Sequence, residues 1–119
     1  MKLLAALLLP VAAWAGDAAK GRAIATSGGE ASCILCHAVP GAGRQAGTLG
    51  PSLAGVGSRL GAQELKARIV DPSRLNPQTA MPPYGRSEGL TQVAAPYRGK
   101  PLLTPGEIDD VVAFLLTLK

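Results

Sequence analysis

Aromatic side chains are nearly absent from this 119-residue chain: one Trp, two Tyr and one Phe make up 3% of it. Aromatics normally bring the largest apolar areas to a core, so a domain this small must fill its middle in another way. Close packing of alanine and leucine is one way, and a bound apolar cofactor is another. Cysteine and histidine are scarcer still, with two of the first and one of the second. That scarcity excludes a multiply stapled disulfide scaffold. Zinc is disfavoured as well, because its structural sites draw on two separated Cys/His pairs, whereas here all three residues lie between positions 33 and 37. Any zinc would have to recruit carboxylates such as Glu30. A long apolar run is also missing, since the most apolar segment, residues 3–15, falls short of the ~20 residues of a spanning helix. Strong charge of one sign is absent too. The formal net charge is +4, and the basic residues are scattered from Lys2 to Lys119. No stripe tracks a phosphate backbone, which sets nucleic acid aside, and a mildly positive surface suits the steering of a partner of opposite sign.

What is present begins with Met1-Lys2, an apolar stretch, and then Ala13-Trp14-Ala15, the small-x-small pattern read by a signal peptidase. We expect residues 1–15 to be a cleaved signal peptide and residues 16–119 to be a single exported domain with no membrane span. Trp14 leaves with the leader on this reading. Tyr84, Tyr97 and Phe114 are then the aromatics that remain.

Asp17 can cap a first helix through about Thr26, stopped by Gly28-Gly29. Gly21 inside it is costly for a helix, and either a close helix crossing or simple tolerance accounts for it. Residues 41–61 hold seven glycines and Pro51, which rules out regular structure over most of that span. The spacing predicts a short helix over Ala62–Val70, with Leu65 and Ile69 on one face and Asp71-Pro72 ending it. Six prolines between positions 72 and 101 make a long loop, and loops of such length usually carry function. The last helix announces itself: Thr104 caps, Pro105 takes the first position, and Glu107 completes a capping box. Ile108, Val111, Val112, Leu115 and Leu118 follow at helical spacing, flanked by Phe114. The fold class is all-α, with three or more helices and long loops.

The chemistry concentrates in "CILCH", residues 33–37. A redox dithiol can use two cysteines separated by two residues, but that arrangement belongs to a βαβ unit, and no strand pattern accompanies it here. A structural disulfide over so short a loop adds little stability and leaves His37 without a role. Cys-x-x-Cys-His is the attachment pattern of c-type haem. Each thiol adds across one vinyl group, the two intervening residues span the porphyrin edge, and His37 turns its imidazole to the iron. A covalent, flat, apolar body would also supply what an aromatic-poor core lacks. For the second axial position, Met81 is the one methionine outside the leader, and Pro77, Pro82 and Pro83 stiffen the loop around it. A His/Met pair favours ferrous iron and a relatively high potential. Gap-filling in the core is the competing role for Met81, and a lysine or the new N-terminus are other conceivable ligands. In "GPSLAG", residues 50–55, the Pro51 carbonyl is free to accept the outer N–H of His37 and so fix its tautomer. The competing account is an ordinary Gly-Pro turn.

Taken together, Cys33-x-x-Cys36-His37, then Gly50-Pro51-Ser52-Leu53, then Met81 ahead of a terminal amphipathic helix, resemble a small class I cytochrome c over nearly the whole of residues 16–119. Within that class, "ELKARIVDPSRLNPQTAMPPYGRSEGL" and "PYRGKPLLTPGEIDDVVAFLLTLK" are similar to the SoxX family, the monohaem subunits of SoxAX complexes in bacterial sulfur oxidation. The resemblance implies one covalently bound haem c held by Cys33 and Cys36, with His37 and Met81 on the iron and Pro51 behind His37. It also implies a periplasmic location, a SoxA-type c-type cytochrome as partner in a heterodimer, a SoxYZ carrier, and a downstream cytochrome that takes the electrons. In that family thiosulfate is joined to a SoxYZ cysteine, an L-cysteine S-thiosulfotransferase activity whose sulfur chemistry is assigned to SoxA. The SoxX-type subunit accepts the electrons and has no catalytic residues of its own. A free monohaem shuttle unrelated to sulfur shares every haem feature, and a thiol–disulfide oxidoreductase is the more remote alternative.

Overall fold

The computed structural model describes residues 10, 14–43 and 46–119. The expected signal peptide, residues 1–15, lies almost wholly outside the described residues. Four α-helices and three one-turn 3-10 helices follow one another, with no strand among the described residues.

Helix α1 (Ala18–Thr26) starts where Asp17 offers Oδ1 to the N–H groups of Ala19 and Lys20, at 2.9 and 3.1 Å. A short helix, α2 (Val56–Arg59), interrupts the glycine-rich span. The sequence had pointed there to irregular structure over most of its length. Helix α3 (Ala62–Val70) has the predicted bounds, buries Leu65 and Ile69, and is entered through Glu64 Oε1, which accepts the Gly61 N–H at 3.3 Å. Helix α4 (Pro105–Leu116) carries the predicted capping box, with Thr104 and Glu107 exchanging hydrogen bonds at 3.0 and 3.2 Å. The helix closes two residues before Leu118, which is only partly buried.

Helix α4 forms the centre of the molecule. Ile108, Val111 and Val112 are almost completely buried, and α1, α2 and α3 all pack against this helix. The α1–α4 crossing is tight enough that a Cβ on Gly21 would lie 1.9 Å from the Asp110 carbonyl oxygen. Close approach, and not mere tolerance, therefore explains that glycine. Trp14, assigned by the sequence to a leader, packs against the core in the uncut chain. Its indole N–H donates to the Asp109 carbonyl at 2.9 Å, and Lys66 lies 5.6 Å over its ring.

The span between α3 and α4 is the expected long loop, broken by single turns at Pro72–Arg74 and Ala95–Tyr97. It is anchored by the Tyr97 hydroxyl, which donates to the Glu30 carboxylate, and by the Leu103 N–H on the Tyr84 carbonyl at 3.0 Å.

Candidate functional site

Residues far apart in the chain converge on one cavity of about 570 Å³. Cys33, Cys36 and His37 line it from one side, and Pro51, Leu53 and Val56 come from the glycine-rich span. Helix α3 contributes Leu65 and Ile69, and the long loop adds Met81 and Tyr84. All five residues singled out in the sequence, Cys33, Cys36, His37, Pro51 and Met81, are thus brought together.

Cys33 opens a single 3-10 turn, Cys33–Leu35, and Cys36 caps its end. That turn is tied to the end of α1 by Ser32, whose buried hydroxyl donates to the Ala25 carbonyl at 2.8 Å and accepts the Gly28 N–H at 3.2 Å. Burial is the main reason the Cys33 thiol is pushed up to about 11, and the neighbouring Cys36 adds to the rise. A thiol that stays protonated at neutral pH is a poor redox nucleophile. This argues against the thiol–disulfide reading.

His37 is held from two sides. Its Nδ1 lies 2.6 Å from the Pro51 carbonyl oxygen. That oxygen can only accept, so Nδ1 carries the proton and the lone pair is left on Nε2. On the other side, a Cβ on Gly50 would stand 2.4 Å from the ring, so glycine is what lets the chain pass this close to the imidazole. The Gly50 N–H in turn donates to the Cys36 carbonyl at 2.7 Å.

Met81 is presented by a chain of short-range bonds: Asn76 Oδ1 accepts the Gln78 N–H at 3.0 Å, the Asn76 carbonyl accepts the Thr79 N–H at 3.0 Å, and Thr79 Oγ1 accepts the Met81 N–H at 3.1 Å. Polar turns as well as prolines therefore shape this loop.

Sequence reasoning missed three contributors. Ser32 was not singled out at all, and Gly50 was noted only as part of its motif, without its close approach to the His37 ring. Tyr84 directly follows Pro82 and Pro83, three residues after Met81, which was a usable signal. Burial, reinforced by the nearby thiols, pushes its phenol up to about 12, so it remains a neutral hydroxyl.

The cavity is lined largely by aliphatic side chains and holds two thiols, one imidazole with a free lone pair, and one thioether. This donor set fits covalently attached haem. The sequence matches the cytochrome c family over residues 18–119, and the chain belongs to that family. It is a class I-type, all-α electron-transfer domain, and membership implies covalently bound haem c.

Among solved structures the chain resembles SoxX-type cytochromes. It is 29% identical to a chain in the crystal structure of SoxXA from P. pantotrophus, covering 87% of this chain and 82% of that one, with a TM-score of 0.78. The c-type cytochrome SorU from Sinorhizobium meliloti is 24% identical, covering 84% of this chain and 87% of the other, with a TM-score of 0.54. That second likeness shows the fold alone. No curated protein matches the sequence. No helix among the described residues is long and apolar enough to cross a membrane.

Proposed function

We propose that the chain is the monohaem electron-transfer subunit of a SoxAX-type complex, exported to the periplasm with residues 1–15 removed after Ala15. One haem c would be held through thioethers from Cys33 and Cys36, with His37 Nε2 and the Met81 sulfur supplying ligands to its iron. When bound, the haem supplies a one-electron couple.

The rest is done by the protein. Pro51 keeps the His37 proton on Nδ1, and Gly50 leaves the ring its space. The Thr79 turn brings up a soft sulfur that favours the reduced state. The largely aliphatic lining provides a low-dielectric surround, which favours the less charged ferrous form. The observation that carries this reading is the convergence of all four haem-binding side chains on one aliphatic cavity. The likeness to SoxXA, together with the "ELKARIV…MPPYG" stretch, supports the finer assignment.

With both thiols consumed, no thiol remains to carry sulfur and no second histidine remains for proton transfer. Alone, the protein should therefore reduce its haem only negligibly when thiosulfate is added. A SoxA-type cytochrome together with SoxYZ should restore that reduction, passing the electrons from the thiosulfate–cysteine union to this haem and then to a downstream cytochrome. Stopped-flow absorbance at the haem bands tests this. Fast, saturable reduction by thiosulfate with this chain alone would overturn the subunit role, whereas a partner mixture that leaves the haem oxidised would favour a shuttle unrelated to sulfur.

A further inference from the structure

The Met81 loop is closed at its base by three bonds in constant register. The Tyr84 N–H donates to the Ile69 carbonyl and the Gly85 N–H to the Val70 carbonyl, both at 3.0 Å. One residue further along each segment, Arg86 Nε donates to Asp71 Oδ2 at 2.8 Å. The chain thus runs back alongside the end of α3 and encloses residues 72–83, with Met81 inside. The approach is close, since a Cβ on Gly85 would stand 3.0 Å from Ile108 Cδ1 and 3.1 Å from the Val70 Cα.

The third closure differs from the other two because it is ionic and buried. Asp71 is 4% exposed. Its Oδ1 accepts from the Ser73 N–H at 3.2 Å and from the Ser73 hydroxyl at 2.5 Å. Arg74 reaches its Oδ2 at 3.5 Å from an exposed position. Arg86 is itself largely covered, and it also donates to the Glu88 carbonyl. The Ser73 hydroxyl first, and then the Arg86 charge, hold the Asp71 carboxyl below its ordinary range. Asp71 is therefore a full carboxylate at neutral pH. The contribution of its ionised form is complete above the ordinary aspartate range and is lost only as pH falls through the lowered value.

We propose that Asp71 and Arg86 form a latch that keeps the 72–83 loop shut and thereby holds the Met81 sulfur on the iron. Both are positioning residues, since neither lines the cavity beside Cys33 and His37. Arg86 instead faces a neighbouring groove with Pro82, Pro83 and Tyr97. Without the ion pair only the two backbone bonds close the base, so the loop would open more often, as a local event that leaves α1 and α4 folded.

The inference rests on Met81 being the axial ligand, and the test separates the two claims. In the haem-loaded protein, the sulfur-to-iron charge-transfer band and the far-ultraviolet helix signal are followed across a urea titration. The rate at which added imidazole replaces the sulfur is measured alongside. In the wild type, band and helix signal should disappear together. In Asp71→Asn and Arg86→Gln the band should vanish at lower urea than the helix signal. Imidazole should enter about tenfold faster or more, the scale of losing one charge-assisted bond from the closed loop. The double variant should be no worse than Asp71→Asn alone, which also loses the charge that Ser73 and Arg74 contact, and Arg86→Lys should recover part of the effect. Should Asp71→Asn fail to fold, the Arg86 pair carries the comparison. Coincident transitions with an unchanged imidazole rate in the variants would overturn the latch, as would fully additive effects in the double variant. Absence of the band in the wild type would instead overturn the assignment of Met81, and the latch with it.

Discussion

The imidazole of His37 is fixed by what stands on either side of it: a carbonyl that can only accept and a glycine that leaves room. Neither neighbour is a ligand. Together they decide which nitrogen is free, and that choice determines whether the residue can bind iron. At Met81 the chemistry lies in the side chain itself. A thioether is a soft, neutral donor that favours ferrous over ferric iron, so Met81→Ala should abolish the sulfur-to-iron band. It should also lower the reduction potential by on the order of a few tenths of a volt, within the ~0.8 V over which axial ligation moves haem potentials. Redox titration of the purified protein measures this, and an unchanged potential would assign the sixth position to another residue.

At the scale of elements, legibility followed from how local each cause is. The bounds of α3 were readable because Leu65 and Ile69 are four apart and Asp71-Pro72 cannot continue a helix, and the start of α4 because its capping box is written in adjacent residues. Helix α2 was not readable. It begins after Gly55 in a left-handed conformation, φ 73°, and is secured by tertiary contacts: the Gly57 N–H donates to the Leu118 carbonyl at 2.8 Å, and Lys119 Nζ reaches the Gly57 carbonyl at 3.3 Å. The Gly21 crossing allows a test in which two effects oppose each other. Alanine in place of a mid-helix glycine normally stabilises by about 1 kcal/mol. Here the added methyl meets the Asp110 backbone, and overpacking of that kind costs about 1–3 kcal/mol. Gly21→Ala should therefore destabilise the haem-loaded protein, seen as a lower urea midpoint. A raised midpoint would mean that α1 can move off α4 at little cost.

Over the whole molecule, the site was more legible than the architecture that closes it. With one histidine in the chain and one methionine outside residues 1–15, counting put His37 and Met81 first among the candidate ligands, ahead of a lysine or a new N-terminus. The offset pairing of residues 84–86 with 69–71 has no such signature, because it exists only once the loop has folded back. The large exposed hydrophobic side chains among the described residues are Leu35, Leu49 and Leu75, at 53%, 73% and 57% exposure, and Leu49 and Leu75 line the cavity that would hold the haem. Leu35 lies between the two cysteines, on the turn where the Gly47 N–H donates to the Ile34 carbonyl at 2.9 Å and where a Cβ on Gly47 would stand 2.0 Å from the Leu35 carbonyl oxygen. An apolar rim around a redox site suits a partner that must approach the haem closely, because burying such side chains drives association without charge specificity. Leu35 lies outside the cavity lining, so it separates docking from haem chemistry. Leu35→Ser should leave the haem spectrum and the potential as they are while weakening the complex with a SoxA-type cytochrome by about tenfold, the effect of a moderate interface hot spot. Titration calorimetry of the two cytochromes reads this directly, and an unchanged affinity would place the partner on another face of the molecule.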